Sequence, residues 1–98
     1  DNSPYGDQVT FYDRFGNVNY QGGFKNGQKE GQGKEYYYNG AIKYVGNFKG
    51  DGYHGINCCI MNITGKPEFE GEMKEGNKVK GKQYFNNGNL YYEGIFLN

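Results

Sequence analysis

The chain has 98 residues and a formal net charge of zero, with eleven Lys and Arg against eleven Asp and Glu. That length allows one small domain with a high surface-to-volume ratio, and the balanced charge removes the electrostatic footprint of a general nucleic-acid binder. Aromatic residues make up 18% and mean hydropathy is -1.00, which excludes both an aromatic-poor disordered chain and a transmembrane segment, and no signal-peptide pattern opens the chain.

The core material is unusual. Tyr supplies eleven residues, Phe seven and Gly eighteen, while Trp is absent. In chain order, runs that alternate Tyr, Phe, Val or Ile with Lys, Asn, Glu or Gln predict strands at about 8–14, 18–25, 32–38, 42–48, 56–62, 68–74, 81–86 and 90–96. Turn residues separate them. Asn39-Gly40 and Asn87-Gly88 lie between two such runs and predict two-residue type I′ hairpins, which need positive φ at both central residues. Asn26-Gly27 opens a further turn, with Phe15-Gly16 and Thr64-Gly65 in equivalent places. No segment has helical periodicity with a cap, and the connections are too short for parallel crossovers. The expected fold is all-β, an elongated single-layer antiparallel meander of stacked hairpins.

A phrase of Gly-x-x-x-(aromatic)-x-Gly-x-(apolar) occurs four times. Its aromatic positions are Tyr20, Tyr44, Phe69 and Tyr92, its following glycines Gly22, Gly46, Gly71 and Gly94, and its closing residues Phe24, Phe48, Met73 and Phe96. A near-constant period of this length marks an array of one supersecondary unit. Alternation puts Tyr20, Gly22 and Phe24 on one face and Gln21, Gly23 and Lys25 on the other. A glycine inside a strand marks a bulky neighbour lying against it, and an aromatic ring is the expected neighbour.

Chemistry-bearing residues are few. Cys58 and Cys59 are adjacent, so on a strand they point to opposite faces and form no disulfide framework; they read as reduced cysteines of an intracellular protein. Gly50-Asp-Gly52-Tyr-His-Gly55 spells a dinucleotide fingerprint, but a strand-like run follows it where the fingerprint needs a helix. His54 is the only histidine and Ser3 the only serine, which leaves no His-based metal cluster and no convincing catalytic triad. Glu68, Glu70 and Glu72 fall on the face opposite Phe69, as a solvated face requires, and Glu75 and Glu93 complete the candidate acids. The Asn62-Ile63-Thr64 sequon reads as accidental. No catalytic residue, metal or cofactor is expected.

The run Tyr20-x-Gly22-x-Phe24-x-x-Gly27-x-x-x-Gly31-x-Gly33-x-x-Tyr36-x-x-x-Gly40 resembles the MORN (membrane occupation and recognition nexus) repeat, including its Gly-x-Gly element. The second copy keeps Tyr44, Gly46, Phe48 and His54-Gly55, but Asn57 stands for the second Gly of Gly-x-Gly. The third has Phe69 for Tyr, Met73 for Trp or Phe, and one residue fewer before Gly81; the fourth reaches Asn98 as half a repeat. Repeat units are expected at 20–43, 44–68 and 69–91, with partial units at 8–19 and 92–98, in one domain over 1–98. A start without Met and an end inside a repeat point to a fragment or processed piece. Tyr37-Tyr38-Asn39-Gly40 also fits the bacterial version of the repeat.

The resemblance implies an intracellular scaffold or assembly module, cytoplasmic, cytoskeletal, ciliary or membrane-peripheral, without enzymatic activity of its own. One sheet layer buries only one side of itself, so part of the aromatic face is expected to stay exposed. The expected site is an aromatic groove of Tyr20, Phe24, Tyr36, Tyr44, Phe48, Phe69, Tyr92 and Phe96 that accepts a helix, a peptide or another copy. Gly22, Gly31, Gly33, Gly46, Gly55, Gly71 and Gly94 are its structural glycines. The alternatives are anionic phospholipid contact through Lys74, Lys78, Lys80 and Lys82, and a regulatory appendage to a catalytic domain elsewhere.

Overall fold

A computed structural model describes residues 6–97; Ser3 and Asn98 lie outside the described residues. The described chain is all-β. Eight strands, β1 (Asp7–Tyr12), β2 (Val18–Lys25), β3 (Gln28–Tyr36), β4 (Ile42–Lys49), β5 (Gly52–Met61), β6 (Pro67–Lys74), β7 (Asn77–Tyr84) and β8 (Leu90–Ile95), pair in sequence order as one antiparallel meander. The sheet is open, with principal extents of 41 × 29 × 17 Å.

Two kinds of connection alternate. At one end of the sheet, β2–β3, β4–β5 and β6–β7 are joined by two-residue turns, Asn26-Gly27, Gly50-Asp51 and Glu75-Gly76, with both residues at positive φ in each. These are the type I′ hairpins. At the other end, 13–17, 37–41, 62–66 and 85–89 form a longer loop repeated four times. In each, the first residue's N–H donates to the fifth residue's carbonyl, and the glycine's N–H donates to the first residue's carbonyl. Gly40 carries φ +87 while Asn39 stays at negative φ, the type I turn plus glycine bulge of a three-residue loop.

The expectation of type I′ turns at Asn39-Gly40 and Asn87-Gly88 is therefore corrected. Asn39 and Asn87 use their side chains instead, accepting the backbone N–H of Ala41 and Asn89, an Asx turn that competes with the αL conformation. Asn62 does the same from the first loop position, accepting from Thr64 N, Thr64 Oγ1 and Lys66 N. That accounts structurally for the Asn62-x-Thr64 pattern. Strands β3, β5 and β7 consequently start about four residues earlier than the alternation predicted, because their true turns are the tight ones.

Register aligns the inner face into rows that cross the sheet. Phe11, Tyr20, Glu35, Tyr44, Ile60, Phe69, Gln83 and Tyr92 form one row. The next row is Val9, Gly22, Gly33, Gly46, Cys58, Gly71, Gly81 and Gly94, and beyond it stand Phe24, Lys29, Phe48, Tyr53, Met73, Lys78 and Phe96. In the second repeat Cys58, and not Asn57, occupies the place of the second glycine, because β5 carries extra residues between His54 and Cys59 opposite Val45–Asn47. Tyr20, Tyr44, Phe48, Cys58, Phe69 and Met73 are the buried core.

Candidate protein-interaction surface

The glycine row decides how the rings lie. A Cβ on Gly46 would stand 2.6 Å from the Tyr44 hydroxyl, and one on Gly33 would stand 2.8 Å from the Tyr20 ring. With no Cβ in the way, each tyrosine lies down along its own strand and hydrogen-bonds the carbonyl three residues on. Tyr20 donates to Gly23 O at 2.6 Å, Tyr44 to Asn47 O at 2.7 Å, and Tyr92 to Ile95 O. Gly23 is itself buried beside a bulge at Gly22/Phe24, so it does not belong to a solvent face as strict alternation predicted.

The trailing strand of each unit then closes the face. Lys29 extends over Tyr20, its Nζ 4.8 Å from the ring centroid, and ends on Glu35 Oε2 at 2.7 Å. The other Glu35 oxygen accepts Tyr53 Oη at 2.5 Å. At the equivalent place Lys78 lies over Phe69 and donates to Gln83 Oε1 at 2.7 Å. Tyr53, which takes the place of Lys29 in the next repeat, stacks on Tyr44 with centroids 3.8 Å apart. Lysine stems cover apolar surface while their amines stay bonded, and the amine over a ring adds a cation–π contact.

The titration behaviour reflects this enclosure. Burial, with Glu35 nearby, pushes the Tyr20 phenol up to about 12. Burial also raises Tyr44 and Tyr53, assisted by the Cys58 thiol in the first case and the Glu35 carboxylate in the second. Tyr84 rises to about 12 because it donates to Glu70. Burial and then Glu70 raise Cys59, which works against the thiolate that a nucleophile needs.

Several expectations are corrected here. Tyr20, Tyr44 and Phe69 are 0% exposed and Phe48 is 3% exposed, so these four rings are core and offer a partner nothing to touch. A ring lying on glycine and roofed by lysine or tyrosine needs no second layer, so the part of the aromatic face that stays open is confined to Phe11, Phe24, Tyr92 and Phe96. Tyr36 belongs to the opposite face: Glu35 points inward, and the neighbouring position on β3 points outward. Lys78 turns inward onto Phe69 and Gln83, leaving Lys74, Lys80 and Lys82 as the exposed members of the basic group. Tyr92 is 42% exposed, and Phe24 and Phe96 are partly so.

What stays accessible lies elsewhere. On the outer face an open trough of about 900 Å³ crosses β5–β8. Its floor is the backbone of Gly71, Gly81 and Gly94, Ile56 and Ile95 flank it, and Glu70, Glu72, Glu93, Lys80 and Lys82 complete it. Ile56 is thrust outward by the β5 bulge and is strongly exposed, like Ile95 and Tyr91. Sequence reasoning missed this trough. The extra residue in the second repeat was its signal, since bulges re-aim side chains. Across the strands, Glu70 faces Lys82, Lys82 faces Glu93 and Glu72 faces Lys80. That arrangement suits a solvated face better than an acid/base pair. His54 accepts the Glu75 N–H through Nδ1 at 3.2 Å, a turn contact. The Gly50–Gly55 stretch is turn and strand, with no helix for a phosphate. Among the described residues no three His, Cys, Asp or Glu side chains gather as metal ligands.

Fold and surface together define a β-hairpin repeat array whose buried central rings are structural. The chain carries MORN repeats: the family model matches residues 20–42 and 69–90. The unmatched stretch between them holds the repeat in which Cys58 replaces a glycine and β5 is bulged. No curated protein matches the chain in a sequence search. MORN repeats are structural and interaction modules, commonly of protein or membrane contacts, and are not known for catalysis. No helix of the described residues is long and apolar enough to cross a membrane.

Proposed function

We propose that this chain is a non-enzymatic protein-interaction module, a subunit of a larger intracellular assembly, that meets its partner through outer-face and rim residues. The observation that carries this reading is the contrast between the buried central rings and the exposed apolar residues Ile56 and Ile95 that line the outer trough, with Tyr91 also exposed on β8. Scattered exposed apolar residues are ordinary, but exposed apolar residues that line a concavity mark a contact site. Tyr92, Phe24 and Phe96 extend that contact at the partly open parts of the inner face.

The competing reading, anionic phospholipid contact through Lys74, Lys80 and Lys82, has less behind it. Glu70 and Glu93 stand opposite Lys82, and Glu72 opposite Lys80, which lowers the local positive potential. The test compares two sets of variants, each first shown to keep a wild-type circular dichroism spectrum. Ile56→Ser with Tyr91→Ser is expected to abolish capture of the native protein partner, while Lys74→Glu, outside the trough, leaves it intact. Loss of pelleting with anionic vesicles in the lysine variant, together with undiminished protein capture by the Ile56/Tyr91 variant, would replace this reading with the lipid one.

A further inference from the structure

The outer face of β5–β8 carries a pattern that is complementary to itself. In strand order one row is Ile56, Glu72, Lys80 and Ile95, since Ile56 and Asn57 share the place opposite Glu72, Glu72 faces Lys80 and Lys80 faces Ile95. The row runs apolar, acid, base, apolar. Across the glycine floor of the trough the parallel row is Cys59, Glu70, Lys82 and Glu93, which again sets an acid on β6 beside a base on β7. Ile56 and these four β6 and β7 charges stand on strands that are paired on both sides. The pattern therefore belongs to the face of the sheet and not to its edges.

We propose that this face packs on the same face of a second copy, about a two-fold axis that runs along the strands between β6 and β7. This rests on the protein-interaction reading and names the partner at the trough: the chain itself. Such an axis lays β6 over β7 of the second copy and β5 over its β8. Glu72 then meets Lys80, Glu70 meets Lys82 and Ile56 meets Ile95 across the interface. Each contact occurs twice, as an isologous pair requires.

Charge complementarity selects this arrangement. Within one copy each β6 acid already faces a base on β7, and across the axis it gains a second, so that signs alternate around each group of four charges. The remaining pair, Cys59 with Glu93, sets no like charges together. An axis turned by a right angle, along the trough, would lay Glu72 over Glu70 and Lys80 over Lys82, and like charges in contact oppose association. Ile56 and Ile95, 71% and 65% exposed, are covered at the two ends of the row. Packed sheets lie about 10 Å apart, a gap that Glu and Lys side chains from the two copies span. Four strands about 4.8 Å apart, each of eight residues rising about 3.4 Å, give a footprint of roughly 19 × 27 Å. That is less than the about 800 Å² per partner of a standard interface, and it fits a reversible dimer.

Charge exchange at one pair tests the axis. Sedimentation equilibrium of the reduced chain is expected to show a mass that rises with concentration from 11.1 kDa towards twice that value and no further. Glu72→Lys and Lys80→Glu, each first shown to keep a wild-type circular dichroism spectrum, are expected to be monomeric alone, because like charges then meet twice across the axis. Mixing the two is expected to restore the dimer. Glu72→Lys/Lys80→Glu in one chain keeps the pair within the sheet and is expected to dimerise with itself but not with the unsubstituted chain. That exchange variant decides alone where a single variant loses its spectrum. Ile56→Ser is expected to weaken the unsubstituted dimer by about tenfold or more. A mass of one chain up to millimolar concentration, masses beyond the dimer, or an exchange variant that pairs equally well with the unsubstituted chain would overturn the proposal. A monomer whose capture of a protein still depends on Ile56 and Tyr91 would remove the second copy and leave the interaction reading standing, so the two fail separately.

Discussion

Gly22 and Gly52 differ in what surrounds them. At Gly22 a Cβ would lie 2.5 Å from the Cα of Gly33 and 2.6 Å from the Gln32 carbonyl, so the neighbouring backbone itself blocks it. At Gly52 the nearest atoms would be 3.5 Å away, ordinary contact, and φ lies outside the left-handed region. Gly22→Ala is expected to destabilise by about 1–3 kcal/mol through overpacking. Gly52→Ala is expected to stabilise by about 0.4–1 kcal/mol, because alanine has less backbone freedom to lose on folding. Urea denaturation of the two variants checks both signs. The need for a gap under each ring was legible in the sequence from the Tyr-x-Gly spacing alone. What the spacing could not show was that the ring lies flat and finds a carbonyl, as Tyr44 does on Asn47. That turns a presumed docking group into core.

Among the elements, the leading strands were easier to read than the trailing ones. β2, β4 and β6 carry the aromatic phrase and came out within a residue or so of their observed bounds. β3, β5 and β7 begin with Gln28, Gly52 and Asn77 after type I′ turns, and only the first of these turns carries the Asn-Gly signal that such hairpins favour. The inward residues Lys29, Glu35, Tyr53 and Lys78 were missed for a physical reason. Alternation cannot distinguish a lysine on a solvated face from one whose stem roofs a ring. The Lys29–Glu35 bridge has side chains 25% and 15% exposed, so water screens it partly, and a discount from the fully buried case applies. Lys29→Ala is expected to cost about 1–3 kcal/mol, by uncovering Tyr20 and leaving Glu35 with Tyr53 alone. Lys29→Met keeps the cover and the Glu35–Tyr53 hydrogen bond and is expected to recover part of the loss. Thermal denaturation of the two proteins checks this, and equal losses would show that the lysine stem covers nothing.

The whole molecule is a one-layer array, and its stability should be graded along the axis that crosses the strands. In such arrays each unit contacts only its neighbours, and stability is approximately a sum of local and interface contributions. Tyr44, Phe48, Cys58, Phe69 and Met73, all but one of the buried core residues, sit on β4, β5 and β6. β1 and β8 bring Phe11, Tyr12, Leu90, Tyr91 and Ile95 to the surface, and each has a partner strand on one side only. Opening β8 breaks a single seam, whereas opening β5 breaks two and exposes the Tyr44–Tyr53 stack. Amide hydrogen exchange at low protein concentration is therefore expected to show the slowest exchange in β4–β6, falling toward both edges. Protection that is uniform across the eight strands would contradict the graded array.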